Sequence, residues 1–169
     1  MQTEAIRSVL IVGGGTAGWL TAANLAQSFS SITQGAIGVT LIESPDIATI
    51  GVGEGTWPTM RATLQKLGIK EDEFLRSCNA TFKQGTKFIN WQQSDQPASY
   101  HHLFTSVSDP TQFNLAPYWL LGGAGKDMPY ASAVSAQGRI AELGLAPKKI
   151  TSKPYEGLLN YSYQKSASG

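Results

Sequence analysis

An α/β fold opening with a parallel βαβ unit is predicted by three features of the sequence. Val9, Leu10, Ile11 and Val12 form a continuous apolar run of the kind buried on both faces in a parallel sheet. A glycine cluster at residues 13–15 gives way to an Ala- and Leu-rich helical pattern that runs through Phe29. The segment GVTLIES then repeats the apolar-run signature and ends at Glu43. Strand, turn, helix and strand in that order make a βαβ unit, right-handed by default. With 169 residues, 41% hydrophobic and 15% charged, the chain is long enough for one sizeable core.

The elements that follow can be read in turn. PDIATIGVGEGTWP is dense in turn residues and reads as a loop, closed by Thr56 as an N-cap with Pro58 in the first turn of a helix that stops at Gly68. A short helix follows from Glu71 to about Cys78. NATFKQGTKFINW then reads as one strand, on which Lys83, Lys87, Ile89 and Trp91 share a face. From Ser94 onward periodicity weakens. QQSDQPASYHH is loop-like, APYWLLGGAGKDMP is a short apolar piece broken by glycines, and SAVSAQGRIAELGL has a helical pattern.

Composition excludes several classes of function. Thirteen Lys plus Arg against twelve Asp plus Glu leave a net charge of +1, so no field gathers nucleic acid or an anionic membrane surface. The single cysteine, Cys78, rules out an internal disulfide framework, and a reducing cytoplasm is the expected location. MQTEAIRSVL lacks the pattern of a secretory signal, and no apolar run is long enough to span a membrane. Cys78 has no local His or Arg cluster and reads as a small buried hydrophobe. Adjacent His101 and His102 make a poor metal pair and read as loop residues, so no metal site is expected. Trp57, Trp91 and Trp119 suit either an aromatic substrate site or ordinary core and interface roles.

Gly13, Gly15 and Gly18 fit the pattern G-x-G-x-x-G, with Gly14, Thr16 and Ala17 between them, after a predicted strand and at the start of a helix. The first glycine permits a tight turn, the second lets backbone approach a pyrophosphate, and the third lets helix and strand pack closely. Free N–H groups at the helix N-terminus favour the diphosphate. Glu43, ending the second strand, is placed to accept hydrogen bonds from ribose hydroxyls. A Rossmann-like dinucleotide site follows. The pattern does not separate FAD from NAD, but no Arg follows Glu43 to meet the 2′-phosphate of NADP.

IVGGGTAGWLTA, then IGVGEGTWPTM, then FLRSCNATFKQGTKFINW resemble, in order and spacing, the N-terminal region of the flavin-dependent tryptophan halogenases. The resemblance covers about residues 8–91 and implies a Rossmann-like FAD-binding βαβ fold of the flavin monooxygenase and halogenase type. It further implies that the glycines bind FAD, and that Gly51, Val52, Gly53, Glu54, Gly55 and Thr56 match a loop strapped across the flavin. Lys83 matches the family's active-site lysine, in a segment of the form N-A-[ST]-[YF]-K. The implied chemistry takes FADH2 from a separate flavin reductase, oxygen and a halide, and delivers hypohalous acid to the lysine for substitution of a small aromatic substrate. Lys83 is singled out on physical grounds too, because an amine in a water-poor wall is available as donor or nucleophile. Lys87 is read as structural or solvated, and Glu54 as a cofactor-loop residue that also suits a helix N-terminus.

Two departures from the family pattern qualify this. The W-x-W-x-I-P signature and the catalytic glutamate of the family do not occur in these 169 residues. LLNYSYQKSASG begins like L-N-Y-A-Y-H-[FL]-D-A, but Gln164, Lys165 and Ser166 interrupt the match. A shortened gene product is therefore expected, with residues 1–93 as the FAD-binding core and lysine strand and residues 94–169 as the start of a truncated substrate-side region. Its expected behaviour is weak FAD binding and self-association into homo-oligomers, with no membrane or nucleic-acid partner. A flavin monooxygenase and a catalytically silent dinucleotide-binding module are the competing readings.

Overall fold

The computed structural model describes residues 5–29, 37–47, 53–91, 93, 98–107 and 113–165. Strand β1 (Ser8–Val12), helix α1 (Thr16–Phe29) and strand β2 (Gly38–Ile42) form the expected parallel βαβ unit, with Ser8 opposite Gly38 and Val12 opposite Ile42. Helix α1 packs on both strands. Val9, Ile11, Val39 and Leu41 are half-buried, whereas Leu10 and Val12 remain 59% and 80% exposed. The apolar runs are thus not covered on both faces. Two strands with one helix have only one face to hide, and among the described residues nothing covers the other.

Beyond the βαβ unit lie the short strand β3 (Glu54–Gly55) and helices α2 (Thr59–Lys66) and α3 (Glu71–Ser77). Helix α2 ends where expected: Gly68 adopts a left-handed φ of 73°, while Ile69 N–H donates to the Leu64 carbonyl at 3.0 Å. Its start differs from expectation, because Thr56 is not the N-cap. The cap position is Pro58, with no side-chain cap, and the Thr56 hydroxyl is engaged elsewhere. Helix α3 begins with Glu71, Asp72 and Glu73 in its first turn, where carboxylates complement the helix dipole.

The lysine segment is not a single strand. It divides into β4 (Thr81–Lys83) and β5 (Gly85–Ile89), and these belong to different sheets. Between them Gln84 turns inward, 7% exposed, and its Nε2 donates to the Leu145 carbonyl at 2.8 Å. That buried side chain ends the alternation, so Lys83 and Lys87 share no common sheet face. The histidines are strand residues rather than loop residues: β5 pairs antiparallel with β6 (Ser99–Leu103), with Lys87 opposite His101. Short helices α4 (Ala116–Leu120), α5 (Tyr130–Val134) and α6 (Gln137–Glu142) follow, so the helical pattern predicted near residue 130 is two helices and not one.

Strand β7 (Ser162–Lys165) returns as the centre of a three-stranded antiparallel sheet, ordered β3-β7-β4. Leu64 from α2 and Tyr161 and Tyr163 from the β7 segment form the core cluster, with Phe74, Leu75 and Phe82 packed against it. At its centre is the Glu71 carboxylate, 4% exposed. Its Oε1 accepts from Tyr161 Oη at 2.5 Å and Tyr163 Oη at 2.9 Å, and its Oε2 from Lys148 Nζ at 2.6 Å and Tyr155 N–H at 2.8 Å. Burial alone would raise the Glu71 pKa, but these four donors together hold it below the usual carboxylate range. Burial and the neighbouring carboxylate push both phenols above their ordinary value, so they remain donors.

Because the folded pKa of Glu71 is depressed, its contribution is fully present above the unfolded value of about 4.3 and is lost as pH falls through the folded value. Glu71→Gln leaves half-buried Lys148 without its counter-charge and two phenols with a weaker acceptor, and is expected to cost roughly 3 kcal/mol, read from urea denaturation at neutral pH. The variant's stability should also fall less steeply than wild type below pH 5. A second outcome concerns the open faces. The accessible surface of 12759 Å² exceeds the roughly 8,000 Å² expected of a compact monomer of this length. Light scattering over a concentration series is expected to show self-association, and a monodisperse monomer throughout would contradict it.

Candidate functional site

The glycine turn sits where the sequence placed it, between β1 and α1 at the carboxyl end of the parallel strands. Gly13 N–H donates to the Ile42 carbonyl at 2.8 Å, tying the turn to the end of β2. Gly13 has φ of 115°, and a Cβ on Gly18 would lie 1.9 Å from the Gly13 carbonyl oxygen, so helix and turn touch backbone to backbone. Nothing stands within 4 Å of where a Cβ on Gly13 or Gly15 would be. That open backbone is a cradle for a group that must reach main-chain N–H donors at the start of α1. Glu43 leans over the same turn: its Oε2 would be 1.7 Å from a Cβ on Gly14, and it accepts from Trp19 Nε1 at 3.3 Å. The structure thus gathers Gly13, Gly14, Gly15, Thr16, Ala17, Gly18 and Glu43 in one place.

Thr16 joins this turn to the strap. Its Oγ1 donates to Glu54 Oε1 at 2.9 Å, across 38 residues of sequence. Glu54 therefore contacts the fingerprint helix directly and does not cap α2. Gly53 lies beside it, while Gly51 and Val52 fall outside the described residues. A cleft of about 380 Å³ runs from this junction towards β7, lined by Thr16, Leu20, Glu54, Thr56, Cys78 and Gln164 among others. Cys78 is exposed there, contrary to its reading as a buried hydrophobe, because the end of α3 faces the cleft and not the core.

Lys83 lies on the other side of the strap. Its side chain is half-buried, with Nζ 5.6 Å from the Trp57 ring centroid and 5.5 Å from that of Phe104. The two rings are themselves 5.5 Å apart. An ammonium over two aromatic faces is attracted by both quadrupoles. Gly55 completes the enclosure, since a Cβ there would stand 2.9 Å from Lys83 Nζ. Lys83 also borders a hollow of about 470 Å³ shared with Gln84, His101, Glu142 and Leu145.

Among the sequence candidates, Trp57 alone of the tryptophans reaches the lysine. Trp91 is 72% exposed beside Phe88, and Trp119 donates from Nε1 to the Met128 carbonyl at 2.6 Å. Lys87 makes a 3.0 Å ion pair with Glu142, which His101 Nε2 approaches at 3.6 Å, in keeping with a structural role. Hydrogen bonding from Lys87 holds the Glu142 carboxyl below its usual range. No group of three or more His, Cys, Asp or Glu among the described residues is arranged to hold a metal. Phe104 was not anticipated. It follows strand β6, whose pairing with β5 is a tertiary feature that SYHHLF does not signal locally. Ser162, opposite Lys83 in the register of β4 and β7, carried no sequence signal.

Comparison with known proteins bears on this geometry. A family model described as "Tryptophan halogenase" matches residues 8–169. Tryptophan 7-halogenase RebH of Lentzea aerocolonigenes is 40% identical over 126 residues, covering 68% of this chain and 23% of that protein. The crystal structure of a tryptophan halogenase from Shewanella frigidimarina superposes with a TM-score of 0.83 at 47% identity, covering 96% of this chain and 32% of that one. BrvH, a flavin-dependent halogenase from Brevundimonas sp. BAL3, superposes with a TM-score of 0.71 at 32% identity, covering 96% and 31%. The chain therefore spans between about a quarter and a third of the length of these relatives.

Gly18 and Gly55 should respond differently to a methyl group. Gly18→Ala meets backbone and is expected to lose about 2 kcal/mol or more together with helical ellipticity, whereas Gly55→Ala meets only the mobile end of Lys83 and should leave the thermal midpoint within about 2 °C of wild type.

Proposed function

The chain belongs to the tryptophan halogenase family, and on that premise we propose that it is the FAD-binding and lysine-bearing portion of a flavin-dependent halogenase acting on tryptophan or another electron-rich aromatic. The observation that carries the reading is the Lys83 amine, enclosed by Gly55, Trp57 and Phe104 on the far side of a strap that contacts the glycine turn.

The residues fit FAD. An open main-chain cradle at Gly13 and Gly15 suits a diphosphate, Glu43 beside it suits the ribose hydroxyls, and Glu54 of the strap, bonded to Thr16, suits the flavin end. Reduced FAD, delivered by a separate flavin reductase, supplies the oxygen chemistry that makes a halide electrophilic. Every other role falls to the chain. The N–H groups at the start of α1 hold the diphosphate, and Glu54 links the position of the strap to that of α1 through Thr16. Lys83 either donates a hydrogen bond to the oxygen of hypohalous acid, so that the aromatic ring takes the halogen, loses its proton and leaves water, or takes the halogen on its free amine with loss of water and passes it to the ring, the ring proton returning to the amine. Trp57 and Phe104 hold the amine against their rings, which fixes where it meets the halogen. The hollow of about 470 Å³ beside Lys83 is within the size range of small-molecule pockets.

The test uses a protein carrying this segment at the length of its relatives. With FADH2, oxygen, bromide and tryptophan, Lys83→Ala is expected to lower brominated product by about 100-fold or more while flavin oxidation stays within about twofold. Loss of FAD binding in the variant would make the lysine structural. Hydroxylated product without any brominated product in the parent would make the protein a monooxygenase.

A further inference from the structure

We propose that Thr56 and Ser162 form a hydroxyl latch that positions the Lys83 amine by pinning the strap to β7, so that both are positioning residues for the site. The proposal deepens the reading of Lys83 given above and concerns only how that amine is held.

Ser162 is fully buried, and its neighbours Tyr161 and Tyr163 are 0% and 1% exposed. Its Oγ donates to the Trp57 carbonyl at 2.6 Å and lies 2.5 Å from Thr56 Oγ1. Each hydroxyl has one proton: that of Ser162 goes to the Trp57 carbonyl, and that of Thr56 has two acceptors in reach, Ser162 Oγ at 2.5 Å and the Tyr163 carbonyl at 3.1 Å, of which Ser162 is the nearer. Thr56 Oγ1 in turn accepts from Tyr163 N–H at 3.1 Å. The bonds then run in one direction, from Tyr163 N–H to the Thr56 hydroxyl, to the Ser162 hydroxyl, to the Trp57 carbonyl. Thr56 N–H adds a bond to the Tyr163 carbonyl at 2.9 Å. The chain joins residues more than a hundred apart in sequence, and each hydroxyl both donates and accepts.

What this holds in place is the enclosure of Lys83. Ser162 is the register partner of Lys83, and cross-strand partners in an antiparallel pair present their side chains on the same face. Gly55 and Trp57, on either side of Thr56, are the two strap residues that meet the lysine: one at 2.9 Å from Nζ to a notional Cβ, the other through its ring at 5.6 Å. A strap released at Thr56 would carry both away from the amine. Gly55 keeps its own pairing with Gln164, but β3 is only two residues long and gives little purchase by itself.

The experiment measures exposure of the amine in the intact chain. Brief acetylation at fixed pH, followed by peptide mass spectrometry, gives the labelling of Lys83 relative to Lys87 and Lys66 in the same molecules. Thr56→Val, which keeps side-chain shape, and Ser162→Ala are each expected to raise relative Lys83 labelling by about fivefold, and Thr56→Ser to return it to within about twofold of wild type. Unchanged relative labelling in a hydroxyl-less variant that retains the wild-type circular dichroism spectrum overturns the proposal. So does an equal rise at all three lysines, which would report general loosening. Should Ser162→Ala not fold, the Thr56→Val and Thr56→Ser pair decides. Since the readout is not turnover, the latch can fail while the halogenase reading stands, and the reverse.

Discussion

Glu71 stands where α3, the β7 segment and the 148–155 stretch converge. A carboxylate taken out of water is tolerated only when its charge is matched and its lone pairs are filled. Here Lys148 matches the charge, and two phenols with one main-chain N–H fill the remaining sites. The donors come from two stretches of the chain, 148–155 and the β7 segment, so the requirement that the carboxylate be satisfied dictates where those stretches lie against α3. Phe74 and Phe82 then meet Tyr163 and Tyr161 edge-on, at 5.0 and 5.2 Å. Apolar packing therefore surrounds a polar centre and does not replace it.

The placement of β7 follows, and from β7 the placement of the site. Its Tyr161 and Tyr163 are held from one side by Glu71, and Asn160 just before it is held from the other. There Gln137 Nε2 donates to the Asn160 carbonyl at 2.6 Å, and Asn160 Nδ2 donates to the Phe104 carbonyl at 2.9 Å. The same short stretch thus fixes Phe104 through Asn160, the strap through Ser162, and Lys83 through the β4 register. The residues around the lysine come from two distant segments, Gly55 and Trp57 from one and Phe104 from the other, yet both refer to one strand.

The βαβ half is organised on a different principle. Its turn is set locally, by the steric demands of Gly13 and Gly18 and by the parallel register of β1 and β2. Its sheet is covered on one face, while Leu10, Val12 and Ile42 remain exposed on the described surface. Thr16 to Glu54 is the polar link from this unit to the strap, and the cleft lined by both ends at β7. The half-buried lysine and the open glycine turn therefore meet at one loop.

The βαβ unit was legible because its signals are local: apolar runs of strand length, a glycine spacing that only a close helix–strand turn requires, and an acidic residue at the end of the second strand. Short-range patterns likewise marked Lys83, Glu54 and the ends of α2 and α3. The division of the lysine segment at Gln84, the strand nature of His101 and His102, and the exposure of Cys78 escaped, since each depends on a partner remote in sequence. Nothing local distinguishes a glutamine that turns inward to the Leu145 carbonyl from one that points to water. By itself, then, the sequence determined the glycine turn between β1 and α1 and the strands on either side of it, whose determinants lie within a few residues of one another. Tertiary structure alone decided how Lys83 is enclosed, because hydrogen bonds and register between residues 56, 83, 104 and 162 exist only once a buried carboxylate has drawn their segments together.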